Sequence, residues 1–305
     1  MPSVVVKQID VVDPSDPIPH RHPGRQPPLH PRGWNTDRSD LRKRRSYEVE
    51  RSWYQTVDPS RLRQLGCRVP TCLESIGYPG GFGLVLEDLD ASGYSVRVSR
   101  PSLKDLKRCL HWLANFHAHH LISTQSEPKF PADLWERGTY WHLATRPDEW
   151  VAMPNAHPLR INADRIDRCL RIPVQTIVHG DAKLANFCFD SNSPQVAAVD
   201  FQYVGPGCGM SDVAYLLGSA LNDEMIAEHE CELLDHYFTL IEASIERNNC
   251  FNLANPGELS ATWRPLYPVA WTDFTRFLIG WSPTHQKLTP YASALQQRCL
   301  KYLDA

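Results

Sequence analysis

The chain has 305 residues, 42% apolar and 22% charged, proportions of a globular protein large enough for one sizeable core or two smaller ones. A net charge of −3 argues against a general nucleic-acid or anionic-membrane binder, and no apolar run approaches the roughly 20 residues of a membrane span. The nine cysteines are scattered and complete no zinc site, even around the closest pair, Cys67 and Cys72, so they read as reduced thiols of a cytoplasmic protein.

In chain order, "SVVVKQIDVV" predicts a strand rich in β-branched residues and carrying one lysine, Lys7. The prolines from Pro14 to Pro31 exclude regular structure, and His20, His22 and His30 within that stretch read as solvated loop histidines. "DRSDLRKRRSYEVERSWYQTV" predicts a helix with Asp37 or Ser39 near its N-cap. Its run Arg42, Lys43, Arg44, Arg45 reads as a solvated face. "FGLVLEDLDASGY" predicts a buried strand, Gly83 to Leu86, ending in an acidic turn suited to a hinge between lobes, here 1–89 and 90–305. Leu103, Leu106, Leu110, Leu113 and Phe116 recur at helical spacing with one buried face, whereas the aromatic stretch from Phe130 to Trp150 has no clear period. From Ser211 onward the chain predicts helices.

Between two short apolar strands, "QTIVHG" and "QVAAVDF", lies the segment "IVHGDAKLANFCF". Phosphoryl transfer asks little covalent chemistry of a protein. It needs an acid to orient and deprotonate a hydroxyl, oxygen ligands for Mg²⁺ and a cation on the phosphates. Asp181 has the chemistry of a base, and Asn186, five residues on, offers a neutral amide oxygen. A second acid, Asp200, ends the strand "VAAVD". A hairpin of the two flanking strands would bring all three to one rim.

"HGDAKLANF" followed by "VDFQYVGPGCGMSDVA" resembles the catalytic and metal-binding segments of the protein-kinase-like fold. Within that fold it is similar to the aminoglycoside phosphotransferase and choline kinase group, including the ecdysteroid-kinase-like branch. The resemblance implies an α+β two-lobe fold, a small strand-containing N-lobe and a mainly helical C-lobe, and ATP-dependent phosphorylation of a small-molecule alcohol. Carried over by position, Asp181 is the base, Asn186 and Asp200 hold Mg²⁺, Asp212 braces the catalytic loop, and the His179 ring holds that loop. Lys7 reaches the ATP phosphates and Glu50 pairs with it, Glu48 being the competing choice. Backbone groups of Glu87, Asp88 and Leu89 meet the adenine.

This sequence departs from the pattern in two places. Asp200-Phe201-Gln202 stands where protein kinases have D-F-G, and the two strands and phosphate-covering loop that normally precede the lysine strand are missing before Lys7. The expectation is a shortened front lobe with an open sheet edge, either from a misplaced start or because the protein lacks that lid. Lys183 then gains weight as a γ-phosphate contact. The missing strands also support an alternative, a catalytically impaired binding module. The short interval from Asp200 to Asp212 and the absence of an A-P-E segment favour a small-molecule over a protein substrate. For the acceptor, "YPVAWTDFTRFLIGW" places Trp271, Phe274, Leu278 and Trp281 on one helical stripe and Asp273 beside Phe277 on the next. That helix reads as packed core or as a pocket wall receiving a cationic alcohol through aromatic faces and one carboxylate.

Overall fold

The computed structural model describes residues 3–10, 37–123, 133–171, 174–248 and 257–304. The histidines of the proline-rich stretch lie outside these residues. Strands β1 (Val4–Asp10), β2 (Cys72–Tyr78) and β3 (Gly81–Glu87) form an antiparallel sheet in the order β1-β3-β2. The run "FGLVL" places β3 at the centre, because Phe82, Leu84 and Leu86 can all be buried. Among the described residues β1 pairs on one side only, with Lys7 opposite Leu84, and leaves Val4, Val5 and Val6 exposed. Helix α1 (Asp37–Thr56) covers the sheet, its Val49 and Trp53 sharing one core with Phe82, Leu84 and Leu86. α2 (Pro59–Gln64) follows, N-capped by the Asp58 carboxylate.

The rest is mainly helical. α3 (Leu103–His119) opens with a capping box between Ser102 and Asp105, buries the apolar face its spacing predicts, and packs on a long later helix. Short elements follow: β4 (Ile122–Ser123), α4 (Pro147–Ala152), α5 (Pro158–Ile161) and α6 (Ala163–Leu170). The motif region holds β5 (Val174–Val178), a 3₁₀ turn at Leu184–Asn186, β6 (Phe187–Phe189), β7 (Val196–Ala198) and β8 (Gly205–Gly207). Then come α7 (Met210–Ala220), α8 (Asp223–Asn248), the partner of α3, α9 (Gly257–Trp263), α10 (Tyr267–Trp281) and α11 (Pro290–Leu303). α10 is hydrophobic on nearly every face because α4, α6, α7 and α11 surround it. No helix among the described residues is long and apolar enough to cross a membrane.

Two expectations are corrected. β5 does not form a hairpin with β7; it lies between β4 and β8, and β7 closes a hairpin with β6. Three-residue strands carry too little alternation to be read in sequence. The arginine run is not simply a solvated face. Arg42 donates to the Thr145 carbonyl at 3.2 Å, and Arg45 to those of Asp133 and Leu134 at 3.0 and 3.1 Å, tying α1 to the segment ahead of α4.

Candidate active site

One buried carboxylate holds the loop after β5. Asp212, in the first turn of α7, accepts from the backbone N–H of His179 at 2.6 Å and of Gly180 at 3.0 Å. It also accepts from His117 Nε2 at 3.1 Å, and His117 Nδ1 accepts a hydrogen bond from the Tyr237 hydroxyl at 2.8 Å. Gly180 is at φ +79°, and a Cβ there would stand 2.0 Å from the Tyr203 carbonyl oxygen, so the turn admits only glycine. His179 Nε2 donates to the Val199 carbonyl at 3.0 Å, while its Nδ1 accepts the Asp181 N–H at 3.3 Å. The ring thus links the loop to the strand leading into Asp200.

Asp181 is 6% exposed, and burial pushes its carboxyl above the usual range against the pull of Lys183, whose ammonium lies 2.7 Å away. The Asn186 amide donates to the Asp181 carbonyl at 2.8 Å and to its carboxylate at 3.2 Å. With Nδ2 so engaged, Oδ1 is left as the ligand atom of that side chain. The β6–β7 hairpin brings Asp200 back to this point, Val199 N–H donating to the Asn186 carbonyl at 3.0 Å. Asp200 sits at φ +70°, a strained setting for a residue with a side chain. Its Oδ1 is buried without a hydrogen-bond partner, 3.8 Å from Lys7 Nζ.

Phe201 is fully buried, stacked on Trp53 with ring centroids 5.0 Å apart and tilted against His179 at 4.6 Å. The next residue explains the departure from D-F-G. The Gln202 amide reaches Glu50 at 3.4 Å, and its carbonyl accepts from Trp135 Nε1 at 2.7 Å. Lys7 pairs directly with Glu50, which is 2% exposed and shifted upward by burial despite that lysine. Glu48 instead points outward, 3.6 Å from Arg45. Lys7, Glu50, Leu86, Leu89, Val199 and Asp200 line a cleft of about 310 Å³.

At the hinge the side chains shape the turn. Glu87 accepts from Arg68, from Ser92 Oγ at 2.7 Å and from the Thr71 N–H at 3.1 Å; burial raises its carboxyl, and these bonds together more than reverse that. Asp88 accepts from the Asp90 N–H at 2.9 Å. Leu89 is buried with Tyr94, Cys188 and Ala197.

The acceptor-side expectation fares differently. Asp273 is not open to a cationic ligand: it is 5% exposed and bonded to the fully buried Arg276 at 2.9 Å, whose guanidinium also reaches the Trp141 carbonyl at 3.0 Å. The charge pattern at i, i+3 was visible in "DFTR", but sequence does not tell a buried pair from a free acid. Phe277 and Trp281 stack with centroids 5.8 Å apart beside Tyr140, and Trp271 lines a second cavity. Residues the sequence did not single out surround Asp181. Tyr215 meets Tyr140 hydroxyl to hydroxyl at 3.2 Å, and Lys287 lies 5.8 Å over the Tyr215 ring. The tyrosine hydroxyls are pushed up chiefly by burial, for Tyr215 also by Tyr140 and Asp181. Nothing in "SDVAYLLG" separates a pocket tyrosine from a core one.

A sequence model of the phosphotransferase enzyme family matches residues 37–240, well over half of the chain. A search of curated proteins found no match. Among solved structures, an amicoumacin kinase in complex with AMP-PNP and Ca²⁺ is similar at 17% identity, 85% of this chain and 78% of that one, TM-score 0.49. An aminoglycoside phosphotransferase from Streptomyces rimosus in complex with ADP and streptomycin aligns at 15% identity, 71% and 81% coverage and TM-score 0.39. An ethanolamine kinase of Plasmodium vivax aligns at 13% identity, 87% and 72% coverage and TM-score 0.42.

Proposed function

The chain belongs to the phosphotransferase enzyme family, and on that premise we propose that it moves the γ-phosphate of ATP onto the hydroxyl of a small molecule. The observation that carries this reading is Asp200 Oδ1, a buried carboxylate oxygen without a hydrogen-bond partner, facing Lys7 at 3.8 Å beside Asn186. Such an oxygen costs free energy unless a cation or donor meets it. It fits Mg²⁺, which takes a few hard protein oxygens and fills its shell with phosphate oxygens and water. Asp200 and the Asn186 amide oxygen would hold the ion, which when bound would neutralise charge on the phosphates.

The chain's own groups supply the rest. Lys7, oriented by Glu50, meets the phosphates, and the apolar walls of the cleft, Leu86, Leu89 and Val199, take the adenine against the hinge backbone of Glu87 to Leu89. Asp181 accepts the proton of the acceptor hydroxyl as its oxygen bonds to the γ-phosphorus. The bond from that phosphorus to the β-bridging oxygen breaks, and ADP leaves. Lys183, at the base's flank, contacts the γ-phosphate. His179 and Asp212 position the loop. Raised by burial, Asp181 holds a proton more readily than an ordinary aspartate, which suits a base.

The test is ADP release with Mg²⁺ or Mn²⁺, without metal, and for Asp181→Asn. Turnover is expected only with metal, with the variant about 10²–10⁴-fold slower and nucleotide affinity near normal. Undiminished turnover in Asp181→Asn would remove it as base. A wild-type protein with no metal-dependent nucleotide binding would leave a non-catalytic binding module.

A further inference from the structure

Beside the catalytic loop lies a second cavity, about 460 Å³, lined by Ser219, Asn222, Asp223, Trp271, Gln286 and Lys287 among others. It adjoins Asp181 through specific contacts. The Leu184 N–H, three residues past the base, donates to Ser219 Oγ at 3.0 Å. The Lys287 ammonium lies 5.8 Å over the ring of Tyr215, whose hydroxyl acts on Asp181. Tyr215 thus stands between the Lys287 end of the cavity and the base.

The charges here are arranged for an anion. Lys287 is half-buried, and no carboxylate among the described residues pairs with it; the charge it feels is that of Lys183, a second cation. Burial and then Lys183 pull its affinity for a proton below the ordinary lysine range. The cavity's acid, Asp223, is already engaged, its Oδ2 accepting the Tyr291 N–H at 2.9 Å. The aspartate on α10 is neutralised by Arg276. A partly desolvated ammonium beside another cation is unfavourable unless a ligand supplies the counter-charge.

We infer that the acceptor alcohol carries an anionic group, a carboxylate or a phosphate, received by Lys287 in the cavity beside Asp181. This rests on the phosphotransferase reading above and deepens it. Trp271 forms an apolar wall for the carbon skeleton, and the lysine, a mobile point charge, accommodates either kind of anion.

The experiment compares four acceptors on one three-carbon skeleton: glycerate, glycerol 3-phosphate, glycerol and 3-aminopropane-1,2-diol. ADP release with Mg·ATP is measured for the full chain, Lys287→Met and Lys287→Arg. Binding of the same four by calorimetry in the presence of Mg·ADP gives the order of affinity independently of turnover. The anions are expected to bind at least about tenfold tighter than the neutral and cationic members, and Lys287→Met to erase that preference. Lys287→Arg should retain most of it, and the apparent KM for ATP should change less than about twofold in either variant. The carboxylate and phosphate arms tell which anion is meant. Preference for glycerol or the aminodiol, or an anion preference intact in Lys287→Met, overturns the proposal. Failure of Asp181-dependent transfer would count against the phosphotransferase reading alone, because the calorimetric order is read without transfer. Lys287→Met is expected to keep its unfolding midpoint within a few degrees, since it removes a partly desolvated charge that no carboxylate among the described residues pairs with.

Discussion

At Gly180 the backbone leaves no choice of residue. With φ at +79° and the Tyr203 carbonyl oxygen 2.0 Å from where a Cβ would stand, Gly180→Ala must displace the strand-to-loop turn. That turn carries one of the two N–H groups seated on Asp212. We expect the variant to lose about 2–4 kcal/mol of stability and most of its activity; a variant with wild-type unfolding midpoint and turnover would contradict the geometry. Asp181 next to it makes a prediction of opposite sign. Its carboxyl is held above the ordinary range by burial, so the proton is bound more tightly in the folded than in the unfolded chain. The stabilisation that follows is full below the unfolded value and is lost as pH rises through the folded one. At neutral pH the ionised Asp181 is therefore a burden on the fold, and the neutral Asp181→Asn chain should unfold at the same or a higher temperature while turning over far more slowly. The difference in midpoint should vanish in acid, where both states are protonated. The same shift puts the acid limb of the wild-type rate profile above the pH of an ordinary aspartate, about 3.9. An Asp181→Asn midpoint well below wild type at pH 7 would show that the Lys183 pair outweighs burial.

At the level of elements, the sequence was informative where the period is long and silent where it is short. Seventeen residues of α3 announce the helix through the spacing of Leu103, Leu106, Leu110, Leu113 and Phe116, while the Ser102–Asp105 capping box that starts it is a finding of the structure. The strand and the helix were legible from a β-branched run and a polar capped stretch, but the pairing of Lys7 came from the resemblance, which left Glu48 beside Glu50; Glu50 proves buried and paired where Glu48 is exposed. The β6–β7 hairpin was not legible, since three residues on each side hold no alternation, and β2 was missed because "CLESIGY" mixes polar and apolar residues with little burial. Asp273 failed for a different reason: its partner Arg276 is visible in the chain, but its burial is a property of the four helices packed around α10. The element that matters most for the site is α7, because its first turn delivers Asp212 beneath the loop. Asp212→Ala would strand the His179 and Gly180 N–H groups and the His117 ring without their acceptor. Each lost partner costs about 1–3 kcal/mol, so a loss of 3 kcal/mol or more is expected by denaturant titration, together with loss of turnover. A loss under about 1 kcal/mol would mean that water replaces the carboxylate.

On the scale of the whole molecule, the proposed nucleotide site belongs to neither part of the chain alone. Lys7 comes from the front sheet, Glu50 from α1, Leu89 from the hinge and Asp200 from beyond the β6–β7 hairpin, and all line the same cleft. Phe201 joins the parts from inside, touching Trp53 of α1 on one side and His179 of the loop on the other. A ligand that fills the cleft therefore stabilises the contact between the sheet and the helical body, whereas Lys7 and Asp200, 3.8 Å apart, bridge them only weakly when it is empty. Binding to the folded chain alone adds about 2.7 kcal/mol at a ligand concentration of about 100 times Kd. For a chain of this size that corresponds to a rise of roughly 4 °C in the unfolding midpoint. We expect that rise with Mg·ATP and a much smaller one with ATP alone, because the Asp200 oxygen has no donor to offer a bare phosphate. Asp200→Ala should remove the metal-dependent part of the rise and leave the ligand-free midpoint close to wild type, since it deletes a buried oxygen without a hydrogen bond but keeps a Cβ at φ +70°. A metal-dependent rise that survives in Asp200→Ala would assign the ion to other groups, and a clearly lower ligand-free midpoint would mean that the Lys7 contact stabilises the empty fold.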